Sequence, residues 1–211
     1  MSEDPNTARR EAFPPRREHG ADHRCRGVLI PAVPEEKSMW TTRAEHPGSA
    51  GTADRAAIRD VLLGAFPTPL EADLVETLRA DGTVWLPELS VVAQAPDGTI
   101  AGYALLTRGW VDGEPVLTLA PCAVRPEFQR QGAGAAAIRA VLAAAGARAG
   151  ENLVTVLGHP EYYPRFGFTP ASRFGIRVGF EVPDEAVMAL ALDPERPVPA
   201  GTIRYPEAFG V

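Results

Sequence analysis

Val124-Arg125-Pro126-Glu127-Phe128-Gln129-Arg130-Gln131-Gly132-Ala133-Gly134 is the stretch on which the reading of this 211-residue chain turns. It leaves an apolar run, crosses a glycine-rich turn and opens onto a segment with Ile138, Val141 and Leu142 at helical spacing. Glycine lets a backbone approach a ligand closely, and the first amides of a helix have no partner within it. Such a turn, backed by the helix dipole, can cradle a pyrophosphate, with Arg125 and Arg130 adding positive charge. The same residues also suit a tight strand-to-helix connection in which glycine serves geometry alone.

Upstream, Val116 to Val124 is almost wholly apolar, as a central strand covered on both faces would be. Pro121 lies inside it. Proline cannot donate to a ladder, so a central strand accepts it only at a bulge or where pairing stops. The sheet is therefore expected to splay open beside Pro121. Working outward, Trp40–Glu45 reads as a first strand. A helix capped by Thr52 or Asp54 follows, then a second from Glu71 to Arg79. Two strands flank Pro96-Asp97-Gly98 as a hairpin, and Trp110–Glu114 forms a second turn. After the glycine turn come a helix to about Ala149, a strand over Leu153–Leu157, and a short helical piece near Glu161–Arg165. Strands near Gly175–Val182 and Val187–Leu192 complete the set. The expected fold class is α/β (α+β): a mixed, mostly antiparallel sheet splayed at a bulged central strand and flanked by helices.

The stretch 124–134 resembles the acetyl-CoA-binding motif of the GCN5-related N-acetyltransferases (GNAT superfamily), whose Q/R-x-x-G-x-G/A signature is matched by Gln129, Gly132 and Gly134. About thirty residues on, Tyr163-Pro164-Arg165-Phe166-Gly167-Phe168 is similar to the family's Y-x-x-x-G-F landmark. With Pro121-Cys122-Ala123-Val124 and Gly158-His159-Pro160-Glu161-Tyr162-Tyr163, the chain most resembles the YhbS-like branch. The resemblance covers residues 40–192.

That resemblance implies an N-acetyltransferase that moves acetyl from acetyl-CoA to a primary amine by direct attack in a ternary complex. A catalytically idle acyl-CoA-binding or regulatory module of the same fold is the alternative. Pyrophosphate would lie on the amides of Arg130, Gln131, Gly132, Ala133, Gly134 and Ala135, with Gln129 a further cofactor-binding residue, and the pantetheine arm along Cys122, Ala123 and Val124. The Val124 N–H would receive the thioester oxygen. Tyr163 would protonate the departing thiolate, with Tyr162 competing for the role and a purely packing aromatic as the other reading. His159, Glu161, Glu88 and Glu71 are the open choices for a general base. An acyl-cysteine at Cys122 is disfavoured, because no basic neighbour in the sequence would lower its pKa.

Two cysteines in all exclude a disulfide scaffold, and no apolar run reaches the ~20 residues of a membrane span. A formal charge of −6 argues against a basic nucleic-acid face and suits a cationic acceptor, a small-molecule amine or a peptide amine. No metal is expected, although His19, His23 and Cys25 lie close together. The expected compartment is the cytoplasm, and a homodimer is left open. Residues 1–39 carry five prolines and almost no apolar cluster beyond Val28-Leu29-Ile30, so they are read as a disordered extension before a domain over 40–211. The charge of −6 falls wholly on residues 41–211, since residues 1–40 hold seven basic and seven acidic side chains. A chain begun at Met39 is expected to melt at the temperature of the full chain and keep its activity, measured side by side; a large fall in Tm would refute the boundary.

Overall fold

The computed structural model describes residues 39–210. The extension expected over residues 1–39 therefore lies almost entirely outside the described residues.

β1 (Thr41–Ala44) is an edge strand antiparallel to β2 (Ser90–Gln94), with Thr41 opposite Gln94. Between them run α1 (Gly48–Ala65) and α2 (Leu70–Ala80), separated by Pro67 and Pro69. The helix start differs from the expected Thr52 or Asp54 cap. Pro47 stands at the N-cap without a side-chain bond, and Asp54 does other work. Its carboxylate accepts from Arg43 Nη1 at 2.6 Å, from the His46 amide at 2.8 Å and from His46 Nδ1 at 3.0 Å, tying α1 to β1. Burial opposes ionisation there, but these donors outweigh it and hold Asp54 below the usual carboxylate range.

β3 (Ile100–Val111) and β4 (Glu114–Val124) form the long central hairpin. Its two-residue turn, Asp112-Gly113, has φ of +47° and +92°, the left-handed pair that matches strand twist. Within β3 and β4, Ala104 pairs with Cys122 but Leu106 pairs with Leu119, so β4 spends one extra residue around Ala120-Pro121. This is the bulge expected at Pro121. It also shifts the alternation by one: Leu117 and Leu119 before it, and Cys122 and Val124 after it, all pack in one cluster.

α3 (Ala133–Gly146) covers that face through Ala137, Ile138, Val141 and Ala145. α1 and α2 cover the other, where Val61, Leu62, Val75 and Leu78 meet Tyr103, Leu105 and Ala123. β5 (Leu153–Leu157) pairs in parallel with β4 and antiparallel with β8 (Val187–Ala191); the two-residue β6 (Thr169–Pro170) continues the sheet beyond β8. Two-residue β7 (Ile176–Arg177) pairs with β9 (Gly201–Arg204), which also joins β3. The sheet is thus mixed and mostly antiparallel, as expected.

The strand expected over Gly175–Val182 is reduced to β7, because only β9 pairs with it, and only at two positions. Val178, Phe180 and Val182 still bury apolar surface against a third cluster, without a ladder. The helical piece near Glu161–Arg165 is a 3-10 turn over Tyr163–Phe166, ended by left-handed Gly167.

Candidate active site

β4 and β5 pair only at Leu117–Val154 and Thr118–Thr155 among the described residues. Past Thr118 the bulge carries β4 away, while β5 stays on β8 up to Leu157. The two strands therefore form a wedge that opens toward Val124. The Arg125 amide donates to Ala101 O at 2.9 Å, so by alternation the Val124 N–H turns from β3 and faces the wedge.

Beyond Val124, residues Pro126–Phe128 form a 3-10 turn, and Arg130 and Gly132 take φ of +60° and +92°. The first bond of α3 runs from the Ala136 amide to Gly132 O at 2.9 Å, leaving the amides of Ala133, Gly134 and Ala135 at the helix mouth without helical acceptors. Glycine is needed at two contacts here. A Cβ on Gly134 would stand 2.9 Å from Val124 Cγ2, and one on Gly102 would stand 3.3 Å from the Ala133 backbone. Gln129 Nε2 reaches Val124 O at 3.4 Å, and Gln131 Nε2 donates to Glu127 O at 2.8 Å. Arg125 is committed elsewhere: its Nε donates to Ile100 O at 3.0 Å.

One side chain that holds this turn was not foreseen as functional. The Trp40 indole donates to Gln131 O at 2.7 Å, and its ring meets Phe128 edge-on at 5.7 Å. A tryptophan just before the first strand was the available signal, but nothing local ties it to a turn 91 residues away.

Across the wedge, the Tyr163 side chain lies beside the Cys122 thiol, both packed on the cluster under α3. Burial, with the Cys122 thiol and Tyr162 adding to it, pushes the Tyr163 phenol well above its ordinary value, so it stays protonated. Burial likewise pushes Cys122 up to about 12, despite the opposing effect of the Tyr163 hydroxyl beside it, so the thiol is neutral and a poor nucleophile. Tyr163 is fixed by edge contacts with Tyr162 at 5.2 Å and Phe168 at 5.8 Å. Tyr162 turns toward α3: its hydroxyl would lie 3.5 Å from a Cβ on Gly134. With His159, Pro160, Glu161 and Arg165 it lines a cavity of about 550 Å³. Thus Cys122, Val124, the 129–135 turn and Tyr163 come together at one opening. Of the four base choices, His159 and Glu161 belong to the Tyr162 side and Glu88 is paired with Arg148 at 2.8 Å. Glu71 lies on α2, which covers the opposite face.

The family model described as Acetyltransferase (GNAT) family matches residues 56–168. This chain belongs to the GNAT family. An uncharacterized N-acetyltransferase of Escherichia coli K12, YjhQ, is 39% identical over 138 residues, 63% of this chain and 75% of YjhQ. Another from the same organism, YhbS, is 31% identical over 160 residues, 74% of this chain and 93% of YhbS. The E. coli YhbS structure in complex with CoA superposes with a TM-score of 0.72 at 28% identity, covering 82% of this chain and 93% of that one. A Brucella melitensis GNAT acetyltransferase in complex with acetyl-CoA gives 0.62 at 28% identity, over 82% and 99%. The GNAT chain described here falls in the YhbS-like branch.

Gly158 is the other unforeseen constraint. Its amide donates to Ala186 O at 2.9 Å, and a Cβ there would overlap the Tyr163 ring. Because that ring is packed on several sides, Gly158→Ala is expected to cost ~1–3 kcal/mol by overpacking. In a domain of this size that lowers Tm by roughly 2–4 °C per kcal/mol, measurable in a thermal melt; an unshifted Tm would mean the ring has room to move.

Proposed function

We propose that this chain is an N-acetyltransferase that moves the acetyl group of acetyl-CoA to a primary amine by direct attack within a ternary complex. The observation that carries the reading is that Tyr163, its phenol kept protonated by burial, lies beside Cys122 in the β4 segment at the mouth of the wedge. Membership of the GNAT family and the two related structures with CoA and acetyl-CoA support it.

The residues present fit that co-substrate. The amides from Gly132 to Ala135 and the positive end of the α3 dipole suit a pyrophosphate, with Gln129, Arg130 and Gln131 completing the turn. Cys122, Ala123 and Val124 offer an unpaired strand edge along which an amide-bearing arm can lie as an added strand. Acetyl-CoA supplies an activated thioester and a good leaving group. The Val124 N–H, held by the β4–β3 ladder behind it, donates to the thioester oxygen as negative charge grows there. The amine nitrogen forms the new C–N bond, the C–S bond breaks, and the nitrogen sheds its extra proton to solvent. Tyr163 gives its proton to the departing sulfur; burial that disfavours the phenolate also favours its recapture of a proton.

Tyr163→Phe keeps the ring and removes the proton. It is expected to lower kcat about 10²-fold or more, in the usual range for general acid catalysis, while the acetyl-CoA Kd stays within a few-fold. Release of free CoA with a panel of amines, alongside calorimetric acetyl-CoA binding, tests this; unchanged kcat would remove Tyr163 from the chemistry. Acetyl-CoA binding with no turnover on any amine would favour the idle acyl-CoA-binding module instead. Double-reciprocal plots against both substrates are expected to intersect, since the neutral Cys122 gives no acyl-enzyme. Parallel lines would point to a covalent route.

A further inference from the structure

A pyrophosphate on the turn after β4 needs amides that face the anion and carbonyl oxygens that do not. Much of the turn meets the second need with donors close at hand. Arg125 O accepts from the Phe128 amide at 2.9 Å, and Pro126 O from the Gln129 amide at 3.3 Å. Glu127 O accepts from Gln131 Nε2 at 2.8 Å, and Gly132 O from the Ala136 amide at 2.9 Å. Gln131 O is different. Its donor is the Trp40 indole at 2.7 Å, 91 residues away in sequence.

The Gln131 carbonyl and the Gly132 amide belong to one planar trans peptide, so they point in opposite directions. Drawing the oxygen to Trp40 turns the Gly132 N–H to the other side. The residue types alone do not fix that plane. Turning the peptide over changes ψ of Gln131 and φ of Gly132, and glycine accepts either sign of φ. Here it is +92°. Contact does not fix it either, since a Cβ on Gly132 would stand 3.6 Å from Trp40 Nε1, an ordinary separation. Arg130, at φ +60°, adds a left-handed residue that keeps this setting only when its surroundings impose it.

The indole is well placed to impose it. Trp40 is 7% exposed, packs in the cluster beneath α3 and meets Phe128 of the same turn edge-on. Thr41, the next residue, begins β1 and pairs with Gln94 of β2. The brace therefore comes from the sheet, a firmer support than the loop it holds. On the acetyl-CoA reading above, we propose that Trp40 is a positioning residue for the pyrophosphate. It touches no part of the co-substrate; its bond to Gln131 O keeps the Gly132 N–H aimed at the phosphate oxygens and spares them a carbonyl turned the same way. The thioester arm is outside its influence, because Cys122, Ala123 and Val124 take their positions from the β3 ladder. An anion on the Gly132 amide polarises the shared peptide in return, making Gln131 O a stronger acceptor for the indole.

Acetyl-CoA is compared with S-acetylpantetheine, which carries the same thioester arm without the pyrophosphate. Trp40→Phe keeps an aromatic ring and removes the N–H. It is expected to raise the acetyl-CoA Kd, measured by calorimetry, about fivefold, the equilibrium equivalent of one ordinary hydrogen bond. The S-acetylpantetheine Kd, followed through the Ala123 and Val124 amide signals in NMR, is expected to stay as in the parent protein. In the parent protein itself, the Trp40 indole N–H resonance is expected to move downfield with acetyl-CoA and to stay in place with S-acetylpantetheine. Equal losses for both compounds in Trp40→Phe, or no loss for acetyl-CoA, overturn the assignment. So does an indole resonance that ignores acetyl-CoA or answers both compounds alike. Each of these leaves the acetyl-CoA reading standing; a parent protein that does not bind acetyl-CoA overturns both.

Discussion

Pro121 has no N–H to give to a ladder, and it stands where β4 carries one residue more than β3 opposite it. That single unpaired residue bends β4, ends its pairing with β5 after Thr118 and rotates the following side chains by one position. The wedge, the inward turn of the Val124 amide and the contact of Cys122 with Tyr163 all depend on it. Had β4 kept its phase, Ala123 would pack under α3, and Cys122 would face α1 and α2.

The two faces of the sheet are anchored by different means. Under α3 the packing is small and apolar, with Ala133, Ala137 and Ala145 letting the helix lie close to Gly102. Under α1 and α2 the sheet holds a buried polar network. Glu45 accepts from Arg79 Nη2 at 3.0 Å and from Ser90 Oγ at 2.7 Å, and Ser90 meets the Tyr103 hydroxyl at 3.0 Å. Arg79 also stacks over Trp85 at 4.9 Å. Removing one partner from such a set strands the others, so it fixes the end of α2 more firmly than apolar contact alone. The N-terminal turn of the same helix is held by an exposed pair instead, Arg59 Nη2 donating to Asp73 Oδ1 at 2.8 Å.

The elements legible in the sequence were those whose cause is local. The glycine turn, the bulging proline, the Asp112-Gly113 hairpin and the apolar periodicity of α3 each carry their chemistry within a few residues. Asp54, like Thr52, reads in sequence as a cap, because a capping residue and a buried ion-pair partner look alike until Arg43 and His46 fold onto it. The alternation of Ile176, Val178, Phe180 and Val182 promised a strand, yet apolar burial and ladder pairing are separate requirements and only the first is met. β9 escaped notice for the converse reason: four residues with one full alternation gain their identity from pairing with β3 and β7. Tyr163 could be picked out by its motif, whereas the need for glycine at 158 exists only once the ring has somewhere to lie.

The hold of Trp40 on the glycine turn has a consequence for motion. β1 is the outermost strand, paired on one side only, and edge strands are among the first elements to fray. Trp40, the residue just before β1, joins it to the turn through its indole hydrogen bond, so a local opening that carried Trp40 with β1 would free Gln131 O and let the left-handed pair Arg130 and Gly132 relax. The amides at the mouth of α3 would then exchange hydrogen with solvent in step with the amides of β1, two regions far apart in sequence breathing as one unit.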